Sequence, residues 1–266
     1  MRGAVLASST IQNVRVGDCS VHMMRAGKGL PLLFLHGAGG VPLWLPFMAS
    51  LSERYDVIVP DHPGFGRSDT PDWLDQLSDL AYFYLDFIDA LGLDQVHLVG
   101  HSLGGWIAAE IAVRSTRRLR TLTLVGAAGV HVNGVAKGDM FVWSQEERVR
   151  NLFVDQRFAE QRLAPPVTEE QGDIAIKNEL RTADLAWQPR FHDPQLRKWL
   201  HRIDVPTLIV WGEGDKIFPK PYGEAYHRLI KGSRLEVLPA CGHIPQVEKA
   251  DAFVDLFTRF AAEHAS

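Results

Sequence analysis

Cysteine is scarce in this chain: Cys19 and Cys241 are the only two among 266 residues. They could form one bridge at most, which excludes a disulfide-built scaffold. Long apolar runs are missing as well, and none approaches the roughly 18 residues of a membrane span. At the N-terminus Ala4-Val5-Leu6-Ala7 is shorter than the roughly 7–15-residue core of a signal peptide. A basic excess is absent, since 28 Lys+Arg stand against 32 Asp+Glu, so nucleic-acid binding has no electrostatic footprint. Metal-ligand spacing is lacking too: there is no H-E-x-x-H and no paired C-x-x-C. Gly37-x-Gly39 follows an apolar run, as a dinucleotide loop would. The third glycine of that fingerprint falls on Pro42, however, and no P-loop lysine is present. These absences lead us to expect a soluble, cytoplasmic protein that acts on a small molecule. It should need no cofactor, no metal, no nucleic acid and no membrane. Oligomeric state is not legible.

What is present is an ordinary globular composition, 46% apolar and 23% charged, long enough for one large domain or two small ones. Short apolar runs at 32–35, 57–59, 96–99, 122–125, 207–211 and 235–238 read as buried strands. Between them lie helical patterns, the clearest over about 74–91, where Leu77, Leu80, Ala81, Tyr84, Leu85, Ile88 and Leu91 recur at offsets of three and four. Two short strands, 14–16 and 20–25, precede them across the Gly17-Asp18 turn. Helices are also expected at 106–113, 221–230 and 245–262. Strands alternating with helices imply an α/β fold with a mostly parallel central sheet covered on both faces. From about 130 to 203 no convincing strand occurs, and helices are expected at 146–161 and at 168–183, the second capped by Thr168. The chain therefore divides into a core, 1–129 and 204–266, and a helical insertion, 130–203.

Gly100-His101-Ser102-Leu103-Gly104 matches G-x-S-x-G directly after one strand and directly before a helix. A serine held there sits at a strained backbone angle, and side chains at 100 and 104 would collide with neighbouring elements. Serine is unreactive until a base removes its proton. His243, in the loop after the last strand, is the best candidate. His101 is a poor base, because adjacent side chains on a tight elbow diverge. His22, His97 and His131 have no partner pattern. Asp215, in the loop after strand 207–211, is the candidate that orients the base; Glu213 is a weaker rival, and Asp61 lies outside the expected chain order. The order Ser102, Asp215, His243 brings three side chains to one edge of the sheet. A developing oxyanion would take backbone N–H groups of Leu103 and Ala38, with Gly39 in reserve.

With these motifs, Asp61-His-Pro-Gly-Phe-Gly-Arg-Ser68 and Gly242-His243, the chain resembles the α/β-hydrolase superfamily over roughly residues 20–264. The resemblance implies the α/β-hydrolase fold, an architectural role for the turn at 61–68, and a cap domain at 130–203 that shapes the pocket. Serine at the elbow argues against dehalogenases and epoxide hydrolases, which carry aspartate there. The sequence is also similar to serine hydrolases that cleave carbon–carbon bonds of aromatic ring-fission products, sharing Gly104-Gly105 and the style of Asp61–Asp69. It departs from them in His101, in a shorter glycine loop, and in Ile244 and Val247 where they carry aromatics. Those departures favour a carboxylic-ester hydrolase, with carbon–carbon hydrolysis as the alternative. A ring-fission substrate bears a carboxylate and would want a pocket arginine, for which Arg181, Arg190 and Arg197 are available. From another class, a ligand receptor built on this fold would show no multiple turnover.

Overall fold

In the computed structural model, residues 9–166 and 168–264 are described. The elements run β1 (Thr10–Val16), β2 (Cys19–Ala26), β3 (Pro31–Leu35), α1 (Pro46–Ser52), β4 (Asp56–Pro60), α2 (Leu77–Ala90), β5 (Val96–His101), α3 (Leu103–Arg114) and β6 (Leu119–Val125). Four helices follow: α4 (Gln145–Asn151), α5 (Gln156–Leu163), α6 (Glu169–Ala186) and α7 (Leu196–Trp199). Alternation resumes with β7 (Thr207–Gly212), α8 (Pro221–Leu229), β8 (Arg234–Leu238), α9 (Pro245–Glu248) and α10 (Ala250–Glu263).

The eight strands form one sheet in the order β1-β2-β4-β3-β5-β6-β7-β8. Pairing is antiparallel at β1–β2 and β2–β4 and parallel everywhere else. Successive side chains on a strand point to opposite faces, and the packing follows that period. Leu33, Leu35, Ile58 and Leu98 pack on one face with Leu80, Phe87, Ile107 and Ile111 of α2 and α3. Leu32, Phe34, Val57, Val59 and Val99 pack on the other with Phe47 and Leu51 of α1 and Phe253 and Phe257 of α10. Both faces are covered, which is why these strands read as continuous apolar runs.

Strand order reverses between β3 and β5: β4 lies on one side of β3 and β5 on the other. Loops leaving neighbouring strands diverge at such a reversal and open a crevice beyond the carboxyl ends of the strands. The loops 36–40 and 101–103 leave at that point.

Three predicted helices differ from those observed. The expected helix over 146–161 is two, because the chain leaves helical geometry at Leu152–Asp155, where Leu152 and Phe153 are buried and Asp155 caps α5 through its hydrogen bond from Arg157 N. The final helix breaks at Lys249 into α9 and α10. The helix expected from about 74 starts at Leu77, where Asp79 accepts from the Gln76 N–H at 2.9 Å and closes the first turn. Thr168 caps α6 as expected, its hydroxyl accepting from Gln171 N. Among the described residues no helix is long and apolar enough to cross a membrane, and no group of three or more His, Cys, Asp or Glu could hold a metal ion.

Candidate active site

Ser102 sits between β5 and α3 at φ 54° and ψ −114°, a left-handed backbone that L side chains rarely adopt. Its surroundings explain the flanking glycines. A Cβ on Gly100 would lie 2.7 Å from the carbonyl carbon of Gly104, and one on Gly104 would run into the backbone of Leu35 and His36. The elbow is pinned on both sides: Ser102 N donates to Val125 O at 2.9 Å, and Ser102 O accepts from Ala128 N at 3.0 Å. These bonds to β6 and the loop beyond it hold a conformation that costs roughly 1–3 kcal/mol.

The hydroxyl lies 2.9 Å from Nε2 of His243, and Nδ1 of His243 lies 2.8 Å from Oδ2 of Asp215. All three side chains are buried. The other oxygen of Asp215 accepts from the N–H groups of Ile217 and Phe218 at 2.8 and 2.9 Å, which fixes the carboxylate. An acceptor at Nδ1 makes that nitrogen the proton-bearing one, so Nε2 is free to accept from Ser102.

The rival residues lie elsewhere. Glu213 is exposed, and Asp61 accepts from Arg67 N inside its own turn. His101 is buried, and burial, followed by the neighbouring His243, holds its pKa well below the usual imidazole range. Its Nε2 donates to the backbone carbonyl of His243 at 3.0 Å, so the ring supports the loop that carries the candidate base. His97 bonds Thr121 across β5 and β6, His22 lies 3.3 Å from the Asn13 side chain on β1, and the His131 ring lies tilted against that of His192.

Leu103 N–H opens α3 and has no intrahelical acceptor. The glycine loop is closed by Gly40 N donating to Gly37 O at 3.0 Å, and a Cβ on Gly37 would come within 3.2 Å of Ser102 Cβ. Ala38 thus follows a residue in direct approach to the serine. The loop is braced from α6, where Asn178 Nδ2 donates to Gly39 O at 3.3 Å and Asn178 Oδ1 accepts from Gly66 N at 2.8 Å. Lys177 Nζ bonds the carbonyls of Gly66 and Ser68, so one helix holds both the 37–40 and the 61–68 loops.

Of the arginines available in sequence to serve a pocket, Arg181 lies against Gly64 beside Asp184, Arg190 pairs with Asp139 and lies over the Trp187 ring, and Arg197 is exposed. Arg162, at the end of α5, was not singled out by sequence. Its Nη2 reaches the space that a side chain on Gly39 would fill, and its charge bears on His101. Packing around the guanidinium lowers its pKa, although the residue as a whole is exposed. Among the described residues it has no hydrogen-bond or ion-pair partner. The only sequence signal was a glycine loop with room for a large side chain from elsewhere.

A family model described as alpha/beta hydrolase fold matches residues 31–250. The chain is similar to a 2-hydroxy-6-oxo-2,4-heptadienoate hydrolase of Pseudomonas putida, 32% identical over 94% of this chain and 95% of that protein. It is similar also to a 2-hydroxymuconate semialdehyde hydrolase of Pseudomonas sp. strain CF600, 31% identical over 90% of this chain and 89% of that one. Among solved structures, a membrane phospholipase A superposes with a TM-score of 0.80 at 26% identity, covering 97% of this chain and 87% of that one.

Proposed function

The chain belongs to the α/β-hydrolase family and is a hydrolase, and from that premise we propose that it cleaves a carbon–carbon bond in a 2-hydroxy-6-oxo-2,4-dienoate, the class of acid for which relatives are named. This puts first the reaction that the sequence ranked second behind ester hydrolysis. Ser102 is the nucleophile, His243 the base, and Asp215 the group that orients it. Breaking a bond between carbons needs an electron sink, and the substrate supplies one. When the proton of its 2-hydroxyl moves to C5, the dienoate becomes a 2-oxo acid. Ser102 Oγ then attacks the C6 carbonyl, His243 takes its proton, and the N–H groups of Ala38 and Leu103 receive the oxyanion. As C5–C6 breaks, its electron pair runs through the chain into the 2-oxo group, and the proton on His243 completes the dienol. Water, activated by the same histidine, releases the acyl group from Ser102 as a carboxylic acid.

The observation that carries this choice is Arg162. A cation without a protein partner, set beside the glycine loop, suits the carboxylate of such a substrate and offers little to a neutral ester. We read residues 130–203 as the cap that brings it there. Ester hydrolysis remains the second reading, supported by the likeness to a phospholipase and by a triad that serves both reactions.

Initial rates on a methyl-ketone dienoate and on a neutral short-chain acyl ester separate the two. The wild-type protein is expected to prefer the dienoate, and Arg162→Gln to lower its kcat/KM by roughly 10–100-fold, the equivalent of one charge-assisted hydrogen bond. The ester rate should change by less than about threefold. A wild-type preference for the ester, or an equal loss on both substrates, overturns the proposal.

A further inference from the structure

Glu248 lies at the end of α9, five residues beyond His243, where its spacing suggests an ordinary helix-surface acid. It is buried instead. Its Oε1 accepts from the backbone N–H groups of Val154 and Asp155 at 2.8 and 2.5 Å, and its Oε2 accepts from Gly242 N at 2.5 Å. Among the described residues it makes no ion pair. Three N–H groups from two separate stretches of chain therefore take the place of water around one carboxylate. One stretch is the break between α4 and α5; the other is the residue immediately before His243.

Two further contacts tie the same stretches together. His243 N donates to Leu152 O at 2.7 Å, and a Cβ on Gly242 would lie 2.8 Å from Phe153 Cα. The far side of the loop is held by Gly214 N donating to Cys241 O at 2.8 Å, which links it to the turn carrying Asp215. The loop bearing the base is thus clamped between the segment at 152–155 and the loop bearing its orienting acid. Glu248 is the only side chain that bonds both the base loop and the 152–155 segment among the described residues.

We propose that Glu248 is a positioning residue: it locks the backbone beside His243 to the segment at 152–155, so that the base is aligned on Ser102 when that segment is docked. The proposal rests on the reading of His243 as the base. Its chemistry follows from counting acceptors. A carboxylate offers two acceptor oxygens, one for each side of the clamp, whereas glutamine offers one oxygen and one NH2. Glu248→Gln must therefore release either Gly242 or the pair at 154–155 and leave buried N–H groups unpaired. Glu248→Asp keeps both acceptors on a stem one methylene shorter.

The test measures kcat and KM on the dienoate together with the second-order rate at which a fluorophosphonate labels Ser102. Labelling needs no knowledge of the natural substrate. If the wild-type protein fails to cleave the dienoate, the proposed function falls while the labelling rate still judges Glu248. In Glu248→Gln, kcat and the labelling rate are expected to fall together by at least about tenfold, with KM within about threefold, in a protein whose circular dichroism and cooperative melting match the wild type. Glu248→Asp should recover part of both rates, and it decides the matter alone if the glutamine variant does not fold. A folded Glu248→Gln protein keeping both rates within about twofold of wild type overturns the proposal, as does Glu248→Asp doing so where the glutamine variant does not fold. So does a loss confined to KM.

Discussion

Asp215 divides its carboxylate between two tasks: one oxygen meets Nδ1 of His243 at 2.8 Å, and the other accepts from the N–H groups of Ile217 and Phe218. Asp215→Asn keeps the shape but can turn its NH2 toward His243, favouring the tautomer that bears its proton on Nε2 and cannot accept from Ser102. A loss in kcat of at least about 100-fold is expected, as in triads that act as a unit. Steady-state kinetics on the dienoate check it, and a loss under tenfold would remove Asp215 from the triad.

Ser102 holds a positive φ that glycine adopts without strain. Ser102→Gly and Ser102→Ala should both abolish turnover. The glycine variant should nonetheless be the more stable by about 1 kcal/mol, since relief of backbone strain exceeds the extra flexibility of the unfolded glycine. Urea denaturation of the two variants measures the difference directly. Equal stability, or a more stable alanine variant, would show that the elbow stores no strain.

Burial lowers the pKa of His97 to about 4 and moves His36, His62 and His101 in the same direction. In the unfolded chain these imidazoles titrate near pH 6.5. Between about pH 6.5 and 4 the unfolded state therefore binds more protons than the folded one, and stability falls as pH falls through that window. His97 alone accounts for about 3 kcal/mol at most. Melting temperatures recorded from pH 7 to 4 should decline, and His97→Gln should flatten part of the slope. A flat profile contradicts this.

Cys241 and Cys19 are buried, and burial is the first cause raising their thiols to about 12 and about 11. Neither forms appreciable thiolate at pH 8, and the thiolate is the species that reacts. Iodoacetamide should leave the native protein unmodified and fully active, while both cysteines alkylate in denaturant. Rapid native labelling at either position would show that its surroundings open.

The sequence by itself determined the fold and pointed to Ser102, Asp215 and His243, the three side chains that the structure brings within hydrogen-bond distance of one another. Each of those signals is local. A strained serine needs small neighbours next to it in the chain, so Gly100 and Gly104 write the elbow into five consecutive letters. Asp215 and His243 each lie in the loop after a strand, β7 and β8, so alternation alone brings them to the edge that holds Ser102. The tertiary structure decided what lies opposite that edge. The break at Leu152–Asp155 was invisible because apolar spacing runs through it, and the chain bends there to pair with the His243 loop. Arg162 was passed over for Arg181, Arg190 and Arg197 because a guanidinium near a chain break looks like any solvated charge; its place beside Gly39 comes from how α5 docks. Glu248 reads as a surface acid until its carboxylate is seen to bind backbone N–H groups nearly a hundred residues away. Long-range contacts of this kind depend on the relative placement of packed elements, which no periodicity encodes.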